Sequence, residues 1–486
     1  MRTTKRLTGL FFGAGASYEA GMPLLWELTA EIKNWLTPAK IHELNAGWRL
    51  QQGGYADQVI NDLISMLEQP SVHYEAMLGY LELQFRRQRS LPQHYYGLYS
   101  WLVDLVYQLL YYRQIHNKMF FGRHLPYYDG IRALADANLP LWIFSLNHDV
   151  MVEAIAARLS IPVHTGFSKV TITLPRRDAS GRKKGEIPAE VLTKRELEQS
   201  AMYFPNPPKP GIYLLKVHGA LDVFTFNDGQ DLLKLLPNSP GEAGVIEALR
   251  AANEDLSFIL PGAPGGRAKA TNEIVYADDQ GVMQFLRRSL LAGAFKFDER
   301  GNQVLPKSLL KHFRDNLNFV TNLVCVGYGF GDVHVNTVLR EWLELSSDRR
   351  LEIISPSAKD VPNFLLHLVP QVAVTSSSAT DYFDRQGDIV RSPREQLEKR
   401  VASILRSLGK ERANNTLVSF FKKDHERTSQ EFAAKLGSLP LHEGRPDVSA
   451  IGDPAKLAER WASEMKLGQE DFLKRLLCYL QANDHK

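Results

Sequence analysis

Short apolar runs that stop abruptly at glycine or polar residues recur along this chain, and they constrain its fold more than any other feature. Each run is nearly continuous in Val, Ile, Leu and Phe, which is typical of strands buried on both faces of a parallel sheet. The runs are LTGLFF (7–12), PLWIFS (140–145), GIYLLKV (211–217), FVTNLVCV (319–326) and RLEII (350–354). Amphipathic helical patterns follow at 150–159 and 333–345. This alternation predicts an α/β fold, a parallel sheet with helices on both faces.

The length of the chain predicts more than one structural unit, since 486 residues exceed what a single small domain needs. We assign residues 1–384 to an α/β domain with a large helical insertion at about 27–138 and irregular insertions at about 165–210 and 222–315. Residues 385–486 are charged and predicted to be mostly helical, with breaks at GSLPLHEGRPD and IGDP.

The charge balance argues against direct binding of nucleic acid. The 58 basic and 55 acidic side chains leave a formal charge of +3, so the molecule as a whole has no strong field for a polyanion. The basic run RRDASGRKK (176–184) is interpreted as a solvated, turn-rich loop. A nucleic-acid-binding module built on this run is the alternative interpretation.

The cysteine count and the apolar segments limit the metal chemistry and the location of the protein. Cys325 and Cys478 are the two cysteines, which excludes a disulfide framework and a four-cysteine zinc site. The N-terminal apolar run is shorter than the ~7 to 15 residues of a signal-peptide core. No uncharged stretch approaches the ~20 residues that cross a bilayer. The sequence therefore predicts a cytoplasmic protein with no membrane segment and no metal of its own.

Polar clusters stand at the ends of four of the predicted strands. They are Gly13 to Ser17, Asn147 to Asp149, His218, and Gly327 to Asp332. The carboxyl ends of parallel strands share one edge of a sheet, and the ligands of such sheets bind beyond that edge. We therefore expect these clusters to lie together and to form the functional site.

The first cluster, in LFFGAGASYEAGMP (10–23), has the composition of a phosphate-binding turn. Its four smallest residues are Gly13, Ala14, Gly15 and Ala16. Side chains this small would let backbone N–H groups at the N-terminus of the following helix contact a phosphate, and the Ser17 hydroxyl can add a donor. Tyr18 occupies the third glycine position of the dinucleotide-binding fingerprint, and the lysine of a Walker motif is absent. A glycine turn without any ligand is the alternative interpretation.

Asn147, Asp149 and His218 carry functional groups that chemistry in this site would need. Asn147 and Asp149 can form hydrogen bonds with the amide of a heterocycle or with a ribose hydroxyl. Alternatively, an asparagine at this place can cap the next helix. His218 stands between an apolar strand and Gly219. A histidine there is suited to general-base work, and a purely structural role is the alternative.

Taken in order, the four clusters resemble the motifs of the sirtuin superfamily over roughly residues 7–360. GAGASYEAGMP is similar to the family's glycine-alanine turn, SLNHD to its Gln-Asn-Ile-Asp motif, KVHGA to its catalytic His-Gly, and VGYGFGD to its ribose loop. The chain departs from the family's deacylases because it lacks their four-cysteine zinc module, has LLW at 24–26 and has Leu146 before the asparagine. It looks instead like the sirtuin-like enzymes of bacterial anti-phage defence, which hydrolyse NAD.

The resemblance implies a Rossmann-like sheet and a role for each cluster. Asn147 would fix the nicotinamide ribose and the attacking water, and His218 would be the general base. Asp149 would meet the nicotinamide amide. The pyrophosphate would contact Gly13, Ala14, Gly15, Ala16 and Ser17, and the adenosine side would contact Gly327, Tyr328 and Asp332.

The activity implied by the resemblance is that of an NAD+ glycohydrolase, which cleaves NAD+ to nicotinamide and ADP-ribose as the toxic effector of an abortive-infection system. NAD+ is thus the expected substrate, and no metal is expected. The alternatives are an NAD-dependent protein deacylase and a catalytically silent sensor of NAD or ADP-ribose. The presence of both Asn147 and His218 argues against the sensor, because binding alone needs no base.

The resemblance also implies assembly with other chains. We expect a homo-oligomer and a second defence protein, such as a DNA-translocase ATPase, an Argonaute-like protein or another sensor. The segment EDFLKRLLCYLQAN (470–483) is predicted to form a helix whose apolar stripe either packs on its own domain or contacts another chain. The residues of this stripe are Phe472, Leu473, Leu476, Leu477 and Leu480.

Overall fold

The computed structural model describes residues 7–87, 90–168, 170–199, 202–227, 231–260, 266–290, 304–437, 441–443, 445–446 and 469–483. The chain divides into two compact units, residues 1–388 and residues 389–486. The polar clusters predicted to form the site all belong to the first unit.

Two sheets contain the strands of the first unit within the described residues. The strands are β1 (Thr8–Phe12), β2 (Leu141–Ser145), β3 (Val163–His164), β4 (Thr171–Arg177), β5 (Lys183–Leu192), β6 (Ile212–Lys216), β7 (Val223–Phe226), β8 (Asp231–Leu235), β9 (Glu273–Ala277), β10 (Met283–Arg288), β11 (Asn322–Val326), β12 (Arg350–Ile354) and β13 (Val372–Thr375). The larger sheet has seven strands in the order β13-β12-β11-β1-β2-β6-β3, and all of its neighbours pair in parallel. This sheet confirms the fold class predicted from the apolar runs.

Strand β1 shows why the apolar runs are continuous. Leu10 and Phe12 pack in one hydrophobic core, whereas Phe11 between them packs in another. Because successive side chains of a strand point to opposite faces, a strand between two cores needs an apolar residue at every position. The register places Leu10 opposite Val324 of β11 and Ile143 of β2, so β1 lies at the centre of the sheet.

Helices cover both faces of the parallel sheet. The helices of the first unit are α1 (Leu25–Trp35), α2 (Pro38–Leu50), α3 (Asp57–Leu67), α4 (Tyr74–Arg87), α5 (Pro92–His116), α6 (Lys118–His124), α7 (Ile131–Ala137), α8 (Met151–Arg158), α9 (Lys194–Glu198), α10 (Gly241–Glu254), α11 (Val304–Leu317), α12 (Val333–Glu344) and α13 (Ala379–Gln386). Helices α1 to α7 lie between β1 and β2 in the chain and pack in the core that contains Leu10. Helices α11 and α12 pack in the core that contains Phe11. Among the helices in the described ranges, none combines the length and the apolar composition needed to cross a bilayer.

In their described residues, the insertions at about 165–210 and 222–315 form regular strands, so the prediction of irregular structure is wrong there. They contribute six strands to an antiparallel sheet in the order β4-β5-β8-β7-β10-β9. The turn in PRRDASGRKKGE joins β4 to β5, where the Asp178 N–H donates to the Arg182 carbonyl at 2.9 Å. Proline and charged residues, such as Pro175 in β4, interrupt the apolar alternation that identifies a strand, so the sequence pattern hides this sheet.

The order of the parallel strands creates a crevice at their carboxyl ends. From β1 the chain adds β2, β3 and β6 on one side, and it then adds β11, β12 and β13 on the other. The order therefore reverses between β1 and its neighbour β11. Ligands of doubly wound sheets bind in the crevice beside such a switch point.

The second unit is mostly helical in its described residues. Its elements are α14 (Pro393–Ser407), α15 (Lys410–Gly437), β14 (Leu441–His442), β15 (Arg445–Pro446) and α16 (Gln469–Asn483). The predicted break at GSLPLHEGRPD contains the short pair of β14 and β15, and IGDP lies outside the described residues. In the apolar stripe of α16, Leu476, Leu477 and Leu480 are buried with Val401 and Phe420 of the same unit. The stripe therefore packs on its own unit, which is the first of the two predicted alternatives.

Candidate functional site

Four strand ends meet where the polar clusters stand. Strands β11, β1, β2 and β6 are successive neighbours in the sheet. Backbone hydrogen bonds continue beyond the strands, since the Leu146 N–H donates to the Phe12 carbonyl and the Val217 N–H to the Ser145 carbonyl, both at 2.9 Å. The structure thus brings all four predicted clusters to one edge of the sheet.

The turn that follows β1 is a 3-10 helix, Ala14–Ala16, and no α-helix begins there. Helix α1 begins only at Leu25, so the prediction of a helix N-terminus at the glycine turn is wrong. The physical reason lies between the two elements. Gly21 adopts a φ of +103°, which turns the chain, and Pro23 follows it before the helix can start.

Two backbone N–H groups of the glycine turn donate hydrogen bonds to backbone carbonyls of the protein. The Gly15 N–H donates to the Gly327 carbonyl at 2.9 Å, and the Ala16 N–H donates to a carbonyl of the turn, also at 2.9 Å. Hydrogen-bonded N–H groups of this kind cannot also cradle a phosphate. The phosphate contact stays a prediction, and it rests on the exposed Ala14 and on the hydroxyl of Ser17.

The glycines of the first and last clusters are needed because the two loops pack on each other. A Cβ on Gly13 would lie 2.5 Å from the Cα of Tyr328, and a Cβ on Gly15 would lie 2.7 Å from the Cα of Gly327. Gly327 has a φ of +63°, and a Cβ there would lie 2.3 Å from the Ala16 nitrogen. Loop packing is thus a reason for glycine that differs from the close approach to phosphate predicted from the sequence.

Asn147 joins the end of β2 to the turn that follows β1. It is buried, and its side-chain amide donates to the Gly13 carbonyl and to the Ser17 hydroxyl, both at 2.9 Å. The side chain that binds the first turn of α8 is Asp149, whose carboxylate accepts a hydrogen bond from the Met151 N–H at 3.0 Å. Asn147 is therefore not the cap of the following helix.

Asp149 lies buried beside Asn147, with a positive charge close to it. Burial raises the pKa of the Asp149 carboxyl, while the Lys216 ammonium and the Ser17 hydroxyl oppose this rise. The Lys216 ammonium also donates to the backbone carbonyl of Asp149. A buried carboxyl gains more from an added hydrogen-bond donor than an exposed one does, so Asp149 is suited to bind an amide N–H of a ligand.

His218 contacts the last cluster directly. It is buried, and its Nε2 atom lies 3.2 Å from Oδ2 of Asp332. The other carboxylate oxygen of Asp332 caps α12 by accepting hydrogen bonds from the N–H groups of His334 at 3.0 Å and Val335 at 3.1 Å. The ring centroid of His148 lies 6.5 Å from that of His218. The structure thus places Asp332 beside the predicted base, whereas the resemblance assigns it to the adenosine side.

Tyr328 stabilises the loop of the last cluster from inside. Its hydroxyl donates to Oδ1 of Asn336 at 2.9 Å, and its ring packs edge-on against Phe11 with 5.1 Å between the centroids. Burial raises the pKa of the Tyr328 hydroxyl above its ordinary value. A contact of Tyr328 or Gly327 with adenosine stays a prediction.

Sequence reasoning missed a buried charge network beside the site. The Glu153 carboxylate lies 2.9 Å from the Lys216 ammonium and 3.0 Å from that of Lys234, which also pairs with Asp222. Burial alone would raise the pKa of Glu153, but the two ammonium groups lower it to about 2. The sequence does contain an indication of this network, because Lys216 interrupts the apolar run GIYLLKV and Glu153 interrupts the apolar helix VMVEAIAARL.

The side chains at this edge supply three chemical functions. The amide of Asn147 can hold a hydroxyl or a water, the carboxyl of Asp149 can accept a hydrogen bond, and the imidazole of His218 can take a proton. Across the ranges that the structure describes, no group of three or more His, Cys, Asp or Glu side chains is arranged to hold a metal ion.

Comparisons with known proteins give distant structural likenesses. The sequence matches no protein-family model, and no curated protein matches it. Two mutants of a Sir2 homologue in complex with ADP-ribose each match with a TM-score of 0.33 and 10% identity, covering 81% of this chain and 93% of theirs. A Sir2 homologue in complex with NAD matches with a TM-score of 0.32 and 10% identity, covering 79% of this chain and 88% of that chain. Likenesses this distant assign no ligand and no residue role to this chain.

Proposed function

We propose that this chain is an NAD+ glycohydrolase, which cleaves NAD+ to nicotinamide and ADP-ribose. One observation carries the proposal: buried Asn147 and His218 follow the adjacent strands β2 and β6, and the Asn147 amide donates to the glycine turn after β1. Hydrolysis needs one group that positions water and another that accepts its proton. A site for binding alone needs neither a base nor a carboxylate beside it.

In the proposed reaction, the bond between C1′ of the ribose and the nicotinamide nitrogen breaks, and its electron pair leaves with nicotinamide. Nicotinamide is cationic in NAD+, so it departs as a neutral molecule, and the ribose passes through an oxocarbenium-like state. Asn147 holds the ribose hydroxyl and the attacking water. The water oxygen bonds to C1′, and His218 accepts the proton that the water loses.

Other residues of the site hold the ends of the substrate in this proposal. The Asp149 carboxyl accepts a hydrogen bond from the carboxamide of nicotinamide. The exposed Ala14 and the Ser17 hydroxyl contact the pyrophosphate. Gly327 and Tyr328 contact the adenosine side.

The biological role that we propose is that of a toxic effector in bacterial anti-phage defence. An enzyme that destroys NAD+ harms its own cell, so it must stay inactive until infection. We therefore propose a cytoplasmic homo-oligomer controlled by a second defence protein, such as a DNA-translocase ATPase, an Argonaute-like protein or another sensor. The near balance of 58 basic and 55 acidic side chains supports control through a protein and not through direct contact with nucleic acid.

The activity is tested by incubating the purified chain with NAD+, alone and with its activating partner, and measuring free nicotinamide and ADP-ribose. The expected result is equal amounts of both products without any added peptide. Nicotinamide release that depends on an acyl-lysine peptide would show a deacylase. Binding of NAD+ with no release, even with the partner present, would show a sensor, and either result would overturn the proposed hydrolase.

The role in defence is tested in infected cells that express the wild-type chain or its His218→Gln variant. The expected result is a fall in cellular NAD+ after infection with the wild-type chain only. An NAD+ pool that stays constant in infected wild-type cells would contradict the effector role. Light scattering on the full chain tests assembly, and the mass of a monomer would contradict the oligomer.

A further inference from the structure

We propose that Asp332 is a positioning residue that acts through His218: its carboxylate holds the imidazole in place and stabilises the charge that forms when the ring takes a proton. This inference rests on the proposed role of His218 as the general base. It replaces the contact with adenosine that the resemblance implies for Asp332.

The contact between the two residues is produced by the tertiary fold and not by neighbouring strands. His218 follows β6 and Asp332 follows β11, and β1 and β2 lie between these strands in the sheet. Three inter-strand spacings, or roughly 14 Å, therefore separate the two strands. The segments that follow β6 and β11 must together span the ends of β1 and β2 to bring Oδ2 of Asp332 within 3.2 Å of the Nε2 atom of His218.

The loop that carries Asp332 is held at three points. It begins on the glycine turn, where the Gly327 carbonyl accepts the Gly15 N–H at 2.9 Å. At its second residue, the Tyr328 hydroxyl donates to Asn336 at 2.9 Å. At its end, one oxygen of Asp332 is fixed by the first N–H groups of α12. The second oxygen of the carboxylate is therefore presented to His218 by a rigid support.

The electrostatics of the pair favour this role. The side chains of His218 and Asp332 are 6% and 14% exposed, so water screens their interaction less than it would at the surface. A carboxylate this close stabilises an imidazolium, which is the form of His218 once it has accepted the proton of the attacking water. The ring of His148 also lies near His218, with its centroid 6.5 Å away, and a positive charge on it would act in the opposite direction.

The test compares the wild-type chain with Asp332→Asn and Asp332→Ser, because Asn and Ser still cap a helix but carry no charge. Asp57→Asn is the matched control, since it removes an exposed carboxylate from the first turn of another helix. The titration of the His218 ring protons is followed by NMR in the protein without substrate and is assigned by their loss in His218→Gln. We expect the midpoint to fall by about one pH unit or more in both Asp332 variants and to stay unchanged in Asp57→Asn.

The kinetics of the same variants distinguish a residue that positions His218 from one that binds the substrate or inhibits the enzyme. We expect kcat for NAD+ cleavage to fall at least about tenfold with KM nearly unchanged. The inference would be overturned by an unchanged midpoint of the His218 titration or by a raised KM at constant kcat. A raised kcat would also overturn it, because it would show that the contact between Asp332 and His218 inhibits the wild-type enzyme. If the midpoint falls but the wild-type chain releases no nicotinamide, the influence of Asp332 on His218 stands and the proposed NAD+ hydrolysis fails.

Discussion

The side-chain amide of Asn147 donates to the Gly13 carbonyl and to the Ser17 hydroxyl, each at 2.9 Å, across the boundary between β2 and β1. Two hydrogen bonds donated by a single NH2 group fix the plane of the amide before any ligand arrives. Preorganisation of this kind aligns a bound hydroxyl or water, and small misplacements of a positioning group cost about 10²-fold in rate. The orientation of Asn147 is thus a property of the fold that the substrate does not need to create.

Replacing Asn147 with alanine is expected to lower kcat/KM for NAD+ cleavage by at least about 10²-fold, because the group that holds the ribose and the water is lost. Asn45→Ala is the matched control. Asn45 is also buried, and its side chain makes two hydrogen bonds with the backbone of Tyr55. Both variants lose stability in urea unfolding, and only Asn147→Ala loses activity. Equal losses of activity would show that Asn147 acts through stability alone.

Gly327→Ala is expected to lower the free energy of unfolding by about 2 kcal/mol or more. The new Cβ would lie 2.3 Å from the Ala16 nitrogen, and the φ of +63° is unfavourable for alanine. Gly329→Ala is the matched control, because a Cβ there meets no atom within 4 Å. Its free energy of unfolding should change by no more than about 0.5 kcal/mol. Urea denaturation of both variants measures the difference, and similar values would contradict the packing of the two glycine loops.

The buried Glu153 carboxylate makes the free energy of unfolding of the first unit depend on pH, with stability lost as the pH falls. Its folded pKa of about 2 lies below the ordinary value of 4.5, so the folded state binds this proton more weakly than the unfolded chain. The stabilisation is complete above about pH 4.5 and is lost as the pH falls toward 2.

Glu153→Gln should therefore unfold more easily than the wild-type chain at pH 7, by roughly 3 kcal/mol, and this gap should shrink as the pH falls from 4.5 toward 2. Glu43→Gln is the control, because the Glu43 side chain is 70% exposed and pairs with Lys40 at the surface. Urea unfolding across this pH range checks the prediction. A gap that keeps its size down to pH 2 would show that Glu153 is not held as a carboxylate by Lys216 and Lys234.

NAD+ cleavage by this chain is expected to continue in EDTA. The chain has two cysteines, and none of its described regions brings together a set of side chains that could hold a metal ion. This chain is dialysed against EDTA by itself, so that any metal of the activating partner is untouched, and it is then assayed with that partner. Activity that disappears in EDTA and returns with a divalent ion would contradict the expectation.

The parallel sheet and the position of the site could be predicted because both are encoded locally. Phe11 and Trp142 lie within continuous apolar runs, which only a strand buried on two faces requires. Asn147 and His218 follow such runs directly, so the parallel topology alone brings them to one edge. The antiparallel sheet escaped prediction because residues such as Pro175 break its alternation.

The contacts within the site could not be predicted, because they depend on how far loops reach. Nothing in the sequence around Asp332 shows that its carboxylate meets His218, although two strands lie between the strands that carry these residues. The capping pattern was readable, since an aspartate before an apolar helical run is a common N-cap. The pairing of Glu153 with Lys216 and Lys234 likewise joins residues from three elements. A charged residue inside an apolar segment indicates that it has a buried partner of opposite charge, but the sequence does not identify the residue that serves as this partner.

The role of His218 as the base of NAD+ cleavage is tested most directly by measuring nicotinamide release by the wild-type chain, His218→Gln and His312→Gln, each with the activating partner. His312 is the matched control, because it is also buried and its Nε2 atom lies 3.1 Å from the carbonyl oxygen of Leu197, a residue of α9. We expect His218→Gln to lose at least about 10²-fold in kcat/KM and His312→Gln to stay within about threefold of the wild type. A His218→Gln enzyme that keeps more than about a tenth of the wild-type rate would contradict the assignment of His218 as the base.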